Sequence, residues 1–214
     1  MIKVRSPESV YMNRGNHEDG NMNARYGFIE ECQAKCGGHD PQMLEMRGVR
    51  LFNVIEENFF NRLPVAGVVR TADRHRQIFL SHGGLPAPKK NPPVRIDELE
   101  RIPFGPVPEP PAYPDEWSEN HPNQWFFDLL WSDPRESWTL EPGRGTTYYK
   151  KDSEAFLRAN DMLFHVRGHE LPPAQRGYNR MHNDKSITVF SASNYCGTSD
   201  NFGAVMILVM SNSD

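Results

Sequence analysis

The segment Asn13-Arg14-Gly15-Asn16-His17-Glu18-Asp19 gathers amides, a guanidinium, an imidazole and two carboxylates around one glycine. A surface turn needs glycine and small polar residues for its backbone, but it does not need that set of side chains. Asn16 can offer its amide oxygen to a metal ion, and His17 beside it can transfer a proton. The plainer alternative is a solvated turn in which Asn16 tolerates left-handed backbone and His17 is merely exposed. Three more segments share the construction: His82-Gly83-Gly84-Leu85-Pro86, Arg167-Gly168-His169-Glu170 and Asn194-Tyr195-Cys196-Gly197. His82 and His169 each read either as metal ligands or as satisfied core histidines. Asn and His donors without thiolates suit Mn2+, Fe2+ or Zn2+, often with a carboxylate bridging two ions. Arg144 lies between two glycines, which leaves its guanidinium room to fork onto an oxyanion, although such arginines are also common on loops. Asp128 to Pro134 brackets Leu129-Leu130-Trp131 with two acids and reads as a strand end with a turn, a description that suits Asp128 better than Asp133. His165 reads as structural, and His39, His75, His121 and His182 as surface residues.

Each of the four segments follows an apolar run, so the elements before them must bring them together. Short apolar strands are expected at residues 65–69, 77–81, 162–166, 187–192 and 204–210. A helix capped by Asn21 should run to Cys36, ended by Gly37-Gly38. A longer one should start at Asp40-Pro41 and stop before Pro64, with Leu44, Gly48, Leu51, Phe52, Ile55 and Phe59 at helical spacing. A third should span residues 152–160, turning Phe156 and Leu157 inward. In layered α/β folds the loops at strand ends converge on ligands. Four junctions of one kind therefore favour a shared site.

At 214 residues the chain is long enough for one domain with a substantial core. A formal net charge of −4 with no long run of one sign argues against nucleic acid or anionic lipid as a partner. No apolar stretch reaches membrane-spanning length, and the N-terminus lacks the apolar run of a secretory signal. Cys32, Cys36 and Cys196 are three, an odd number that speaks against a disulfide framework. The expected setting is cytoplasmic, nuclear or both. Prolines crowd the stretch at about 102–122, which reads as an extended surface insertion within a single domain, and Pro103–Pro114 within it is expected to be mobile and to tune access of partners or substrates.

In this order, RGNHE, HGGLP, DLLWSDP, RGHE and FSASNYCG resemble the signature blocks of the phosphoprotein phosphatase (PPP) family of protein serine/threonine phosphatases, within the calcineurin-like metallophosphoesterases. The segment NMNARYGFIEECQAKCG is similar to the helix that follows the first block in that family. The resemblance implies an α/β fold of two mixed sheets packed as a sandwich with flanking helices. It implies metal-dependent hydrolysis of phosphoserine and phosphothreonine, with phosphoproteins as substrates, regulatory subunits as partners, and two divalent ions (Mn, Fe or Zn) as cofactors. Asn16, His82 and His169 match the ligands of one ion. His17 matches the histidine that protonates the leaving oxygen, Arg144 an arginine that grips the phosphate, Tyr195 a tyrosine lining the substrate position, and Cys196 the cysteine beside it. Arg14 lies in the first block without an assigned role. The family's GDxHG and GDxxDRG blocks have no counterpart in this sequence, and Ser193 stands where the family usually has proline. The expectation is therefore an incomplete catalytic domain over residues 1–214, with its N-terminal part missing and ligands retained mainly for one ion. The alternative is a phosphatase-like interaction protein without chemistry.

Overall fold

The computed structural model describes residues 2–36, 41–71, 76–109, 119–138 and 145–209. Its helices are α1 (Ile2–Arg5), α2 (Gly20–Arg25), α3 (Phe28–Lys35), α4 (Pro41–Asn58), α5 (Pro122–Trp131) and α6 (Lys150–Ala159). Its strands are β1 (Ala66–Arg70), β2 (Gln77–Ser81), β3 (Asp133–Pro134), β4 (Thr147–Tyr148), β5 (Phe164–Arg167), β6 (Tyr178–Met181) and β7 (Ser186–Val189). Five strands form a mixed sheet in the order β1-β2-β5-β7-β6, and β3 pairs with β4 in a second, two-stranded parallel sheet. This is the expected mixed α/β fold with flanking helices. The inner strands β2, β5 and β7 run parallel, whereas β1 and β6 are antiparallel edges.

The core forms where the sheet meets α5 and α6. Phe79, Leu85, Leu129, Tyr148, Phe156, Leu157 and Met162 pack into one buried cluster. Phe79 on β2 meets Phe156 on α6 with ring centroids 5.1 Å apart, and each fully buried side chain of this kind contributes about 1.5–3 kcal/mol. Trp125, Val94 and Ala87 form a second cluster, with Leu99 and Ile102 packed against it. The Trp125 indole N–H donates to the Glu119 carbonyl at 2.7 Å. This bond satisfies the one polar atom of a ring that is otherwise fully buried.

Several expectations change in detail. The helix expected to be capped by Asn21 is two helices. Asp19 caps α2, its carboxylate accepting from the Met22 amide at 3.1 Å. The break falls at Gly27, whose φ of 84 is left-handed backbone that glycine adopts without strain. Gly37-Gly38 lie outside the described residues. Asp152 sits inside α6 rather than opening it: its carboxylate accepts the Tyr149 amide at 2.9 Å, completing a capping box one turn earlier. Asp128 belongs to the helix α5, not to a strand end. Residues 204–209 form no strand, and Val205, Ile207 and Val209 are exposed. Alternating apolar residues make a strand only where a neighbour takes the backbone hydrogen bonds, and among the described residues none extends a ladder along 205–209. β6 lies outside the strands that the apolar pattern predicts, because Tyr178-Asn179-Arg180-Met181 has little apolar character; its pairing with β7 supplies what the pattern does not.

His182 is the clearest reversal. Its polar neighbours pointed to the surface, yet it is fully buried. Left-handed backbone at His182, Asn183 and Asp184 turns the chain back, so that the ring enters the core. There Nδ1 lies 2.8 Å from Ser153 Oγ and Nε2 lies 3.0 Å from the Arg135 carbonyl oxygen. Among the described residues, no helix is long and apolar enough to cross a membrane.

Candidate metal centre and active site

Parallel register decides the site. Leu80 on β2 sits opposite Val166 on β5, so the two chains leave the sheet together and place His82 beside Gly168-His169. The Gly168 amide donates to the His82 carbonyl at 3.0 Å, locking the two loops edge to edge. His169 then adopts a positive φ of 67. Such backbone costs a non-glycine residue about 1–3 kcal/mol and persists where surrounding structure enforces it, as at ligand sites.

The third loop arrives from the N-terminal side. The Arg14 amide donates to the Pro64 carbonyl at 2.8 Å, and the Asn13 side-chain amide reaches the Leu80 carbonyl at 3.4 Å. Glu18 accepts the Gly15 amide at 2.7 Å, which closes the turn around buried Asn16. As a result, Asn16 Oδ1 lies 2.7 Å from His82 Nε2, and His169 Nδ1 lies 3.2 Å from the same atom. The residues that converge are 66 and 87 positions apart in sequence.

These distances test the implied metal. Donors bound at roughly 2.0–2.2 Å to one ion lie about 3 Å apart when they occupy adjacent positions. One amide oxygen and two imidazole nitrogens at such separations fit a hard or borderline divalent ion. Among the described residues no group of three or more His, Cys, Asp or Glu side chains is placed to hold a metal ion. The set therefore depends on the amide of Asn16 and carries no formal charge of its own.

The loop after β2 owes its path to α5. The amides of Gly83 and Gly84 donate to the carbonyls of Leu129 and Asp128 at 2.7 and 3.3 Å, and the Ser81 hydroxyl donates to the Gly84 carbonyl at 2.7 Å. The fully buried Asp128 carboxylate completes the tie. It accepts the Ala87 amide and the Gln124 side chain at 3.0 Å each, and the Ser132 hydroxyl at 3.1 Å. Burial pushes its pKa up to about 6 against those bonds.

Behind His169 lies a charged cluster that sequence reading did not assign. Arg167 has a fully buried side chain, with Asp133 Oδ1 at 2.6 Å and Glu170 Oε2 at 2.8 Å; Arg135 reaches Glu170 Oε1 at 2.9 Å. Burial pushes the Asp133 carboxyl above its ordinary value despite Arg167. At Glu170 burial is outweighed by Arg167, Asp133 and Arg135, which hold that carboxyl low. Arginine and acid both stand in the quoted blocks, but only the fold shows that they meet.

The remaining expected residues lie as follows. His17 follows Asn16 directly, is exposed, and sets its ring 5.1 Å from that of Tyr26. Tyr195, on the loop after β7, is exposed; its ring packs edge-on against Phe190 at 5.2 Å, and its amide donates to Asn201 Oδ1 at 2.8 Å. Cys196 is an exposed free thiol. Arg144 lies outside the described residues. Arg14 is buried and faces Asn61 Oδ1 at 3.0 Å and the Gly105 and Glu18 carbonyls, with Phe126 beneath its guanidinium. It therefore ties the Asn16 loop to the start of the proline-rich segment, whose residues 110–118 lie outside the described residues.

Comparison with known proteins agrees with this arrangement. Residues 2–173 match the calcineurin-like phosphoesterase family. The chain is 32% identical over 206 residues to serine/threonine-protein phosphatase rdgC of Drosophila melanogaster, covering 94% of this chain and 28% of that protein. It is 30% identical over 211 residues to serine/threonine-protein phosphatase T of Saccharomyces cerevisiae, covering 97% of this chain and 34% of that one. A solved Saccharomyces cerevisiae protein serine/threonine phosphatase similar to human PP5 superposes with a TM-score of 0.73 at 31% identity, over 94% of this chain and 54% of that one. The chain thus spans about a third of the length of the curated relatives it matches. With a family match over most of its length and strand-end loops that converge as that fold requires, this chain belongs to the calcineurin-like phosphoesterases.

Proposed function

We propose that this chain serves the hydrolysis of phosphoserine and phosphothreonine in proteins. Asn16, His82 and His169 hold one divalent ion, His17 protonates the departing serine or threonine oxygen, Arg144 grips the phosphate, and Tyr195 lines the substrate position. The observation that carries this reading is the convergence of Asn16 Oδ1 and His169 Nδ1 on His82 Nε2, at 2.7 and 3.2 Å. The names of the relatives, all serine/threonine-protein phosphatases, agree with it. Bound metal supplies a water that ionises near neutral pH and charge to offset that building on phosphate oxygens. His17 suits proton transfer because it is exposed on the loop that carries the buried Asn16. Where the chemistry uses two ions, the second takes its ligands from residues outside this trio. A cytoplasmic or nuclear setting and regulatory subunits belong to the same reading.

A second reading has one observation of its own. The converging donors carry no formal charge and include no carboxylate, a combination that holds metal weakly and suits a phosphatase-like module that binds partners without turnover.

Phosphate release from a phosphoserine peptide in the presence of Mn2+ separates the two. Hydrolysis by the wild-type chain, with kcat reduced about 100-fold or more in His17→Asn, is the expected result. Equal rates in the two proteins would overturn the role given to His17, and no turnover beside intact peptide binding would favour the binding module.

A further inference from the structure

We propose that Arg167 is a positioning residue for the metal centre: it holds the Asp133 carboxylate beside the outer nitrogen of His169, and so favours the ring orientation that presents Nδ1 to the ion. This rests on the proposed metal role of Asn16, His82 and His169. A guanidinium has five N–H donors in a rigid fork, and here four bonds from it reach three different loops. Nε donates to the Gly83 carbonyl, in the loop that carries His82. Nη2 donates to the Ser132 carbonyl at 3.1 Å and to Asp133 Oδ1 at 2.6 Å, where α5 runs into β3. Nη1 donates to Glu170 Oε2 at 2.8 Å, one residue beyond His169. The same oxygen of Asp133 stands 3.9 Å from His169 Nε2. The opposite ring nitrogen, Nδ1, is the one turned toward His82.

The ring is thus bracketed by the cation site on one side and a clamped carboxylate on the other. Trp131 meets its flank edge-on at 5.6 Å between centroids. At 3.9 Å the carboxylate lies beyond direct hydrogen-bond reach of Nε2 and acts on the ring through its charge, favouring the orientation that leaves Nδ1 to the ion; outer partners of this kind commonly govern metal affinity. A lysine in place of Arg167 retains the charge but cannot reach both carbonyls and both carboxylates at once. The partners of Arg167 are protein groups, and it acts through His169 and the loop of His82.

The test measures Mn2+ binding to the full 214-residue chain by isothermal titration calorimetry, with the visible spectrum of the Co2+-loaded protein as a second readout. Asp133→Asn and Arg167→Lys are each expected to raise the Mn2+ Kd about 10- to 100-fold and to alter the Co2+ bands. Asn160→Ala, which removes a buried hydrogen bond to the Val94 carbonyl elsewhere in the core, is expected to lower stability and leave both readouts unchanged. Should Arg167→Lys fail to fold, Asp133→Asn carries the decision. An unchanged Kd and unchanged Co2+ bands in folded Asp133→Asn, beside binding that is lost in His82→Ala, would overturn the clamp while leaving the metal site standing. Absence of Mn2+ binding by the wild-type chain, or binding retained in His82→Ala, would overturn the metal site and the clamp with it.

Discussion

Lowering the pH from about 6.5 to about 4 is expected to remove about 3 kcal/mol of stability from the wild-type chain that a His165→Gln variant does not lose. His165 is buried in the sheet between Phe79 and Ser81. The Ser81 hydroxyl spends its hydrogen on the Gly84 carbonyl at 2.7 Å, so toward His165 Nε2, also 2.7 Å away, it can only accept. The ring therefore carries its proton on Nε2. Its Nδ1 has no hydrogen-bond partner among the described residues, so a second proton there would be a buried charge without an acceptor. Burial, with Arg167 and His182 adding to it, pushes the pKa down to about 3. An unfolded histidine takes up a proton below about 6.5, and the folded one resists until about 3. The contribution is thus complete above the unfolded value and is lost progressively as the pH falls toward the folded one.

Asp128 acts in the opposite sense. Its carboxyl, raised to about 6 by burial, makes the folded state bind a proton that the unfolded state releases down to about 3.8, so its protonation stabilises the fold as the pH falls through that range. The two effects partly cancel in the wild-type curve. The quantity to measure is the difference between wild type and His165→Gln, by urea denaturation at several pH values. Parallel curves across this interval would show that His165 is not held neutral by its surroundings.

Gly83→Ala is expected to lower the unfolding free energy by about 3 kcal/mol or more and to weaken Mn2+ binding in the same protein. A Cβ on Gly83 would come within 2.4 Å of the Leu130 carbonyl carbon and 2.5 Å of the Trp131 nitrogen. Those atoms are backbone of the last turn of α5, which also accepts the Gly83 amide at 2.7 Å through Leu129, so neither side can withdraw without breaking the bond. Any displacement passes to His82, the adjacent residue, and through its carbonyl to Gly168. Gly67→Ala in β1 is the control, because its nearest neighbour would be 3.4 Å away and alanine is a better strand residue than glycine. Urea denaturation of both variants, followed by Mn2+ calorimetry on whatever folds, decides the matter. If Gly83→Ala unfolds no earlier than Gly67→Ala, the close packing of this loop on α5 does not constrain the site.

Much of this was legible before the fold. Short apolar runs ending in glycine-bearing polar loops are a local signal, since strand length, side-chain type and the freedom of glycine are all read within a few residues. That signal located Asn16, His82 and His169 as candidate ligands and placed β1, β2, β5, β7 and α4 within a few residues of where they lie. The order of the blocks carried the family. It also fixed which groups are available for chemistry, because no arrangement of the chain can supply a donor that the sequence lacks.

Tertiary structure decided which candidates meet. Apolar alternation at residues 204–209 resembles that of a real strand, but a strand exists only where a neighbour takes its hydrogen bonds. His182 reads as exposed from its neighbours and is buried by a turn whose consequence appears only when α6 is in place. The clamp at Arg167 joins residues up to 84 positions apart, and charge attraction between them depends on a distance and a dryness that no local pattern encodes. The trio itself forms because β2 and β5 are parallel and in one register, a fact about pairing rather than composition. Residue chemistry is local and so is written along the chain; proximity and burial are properties of packing, and only the folded chain sets them.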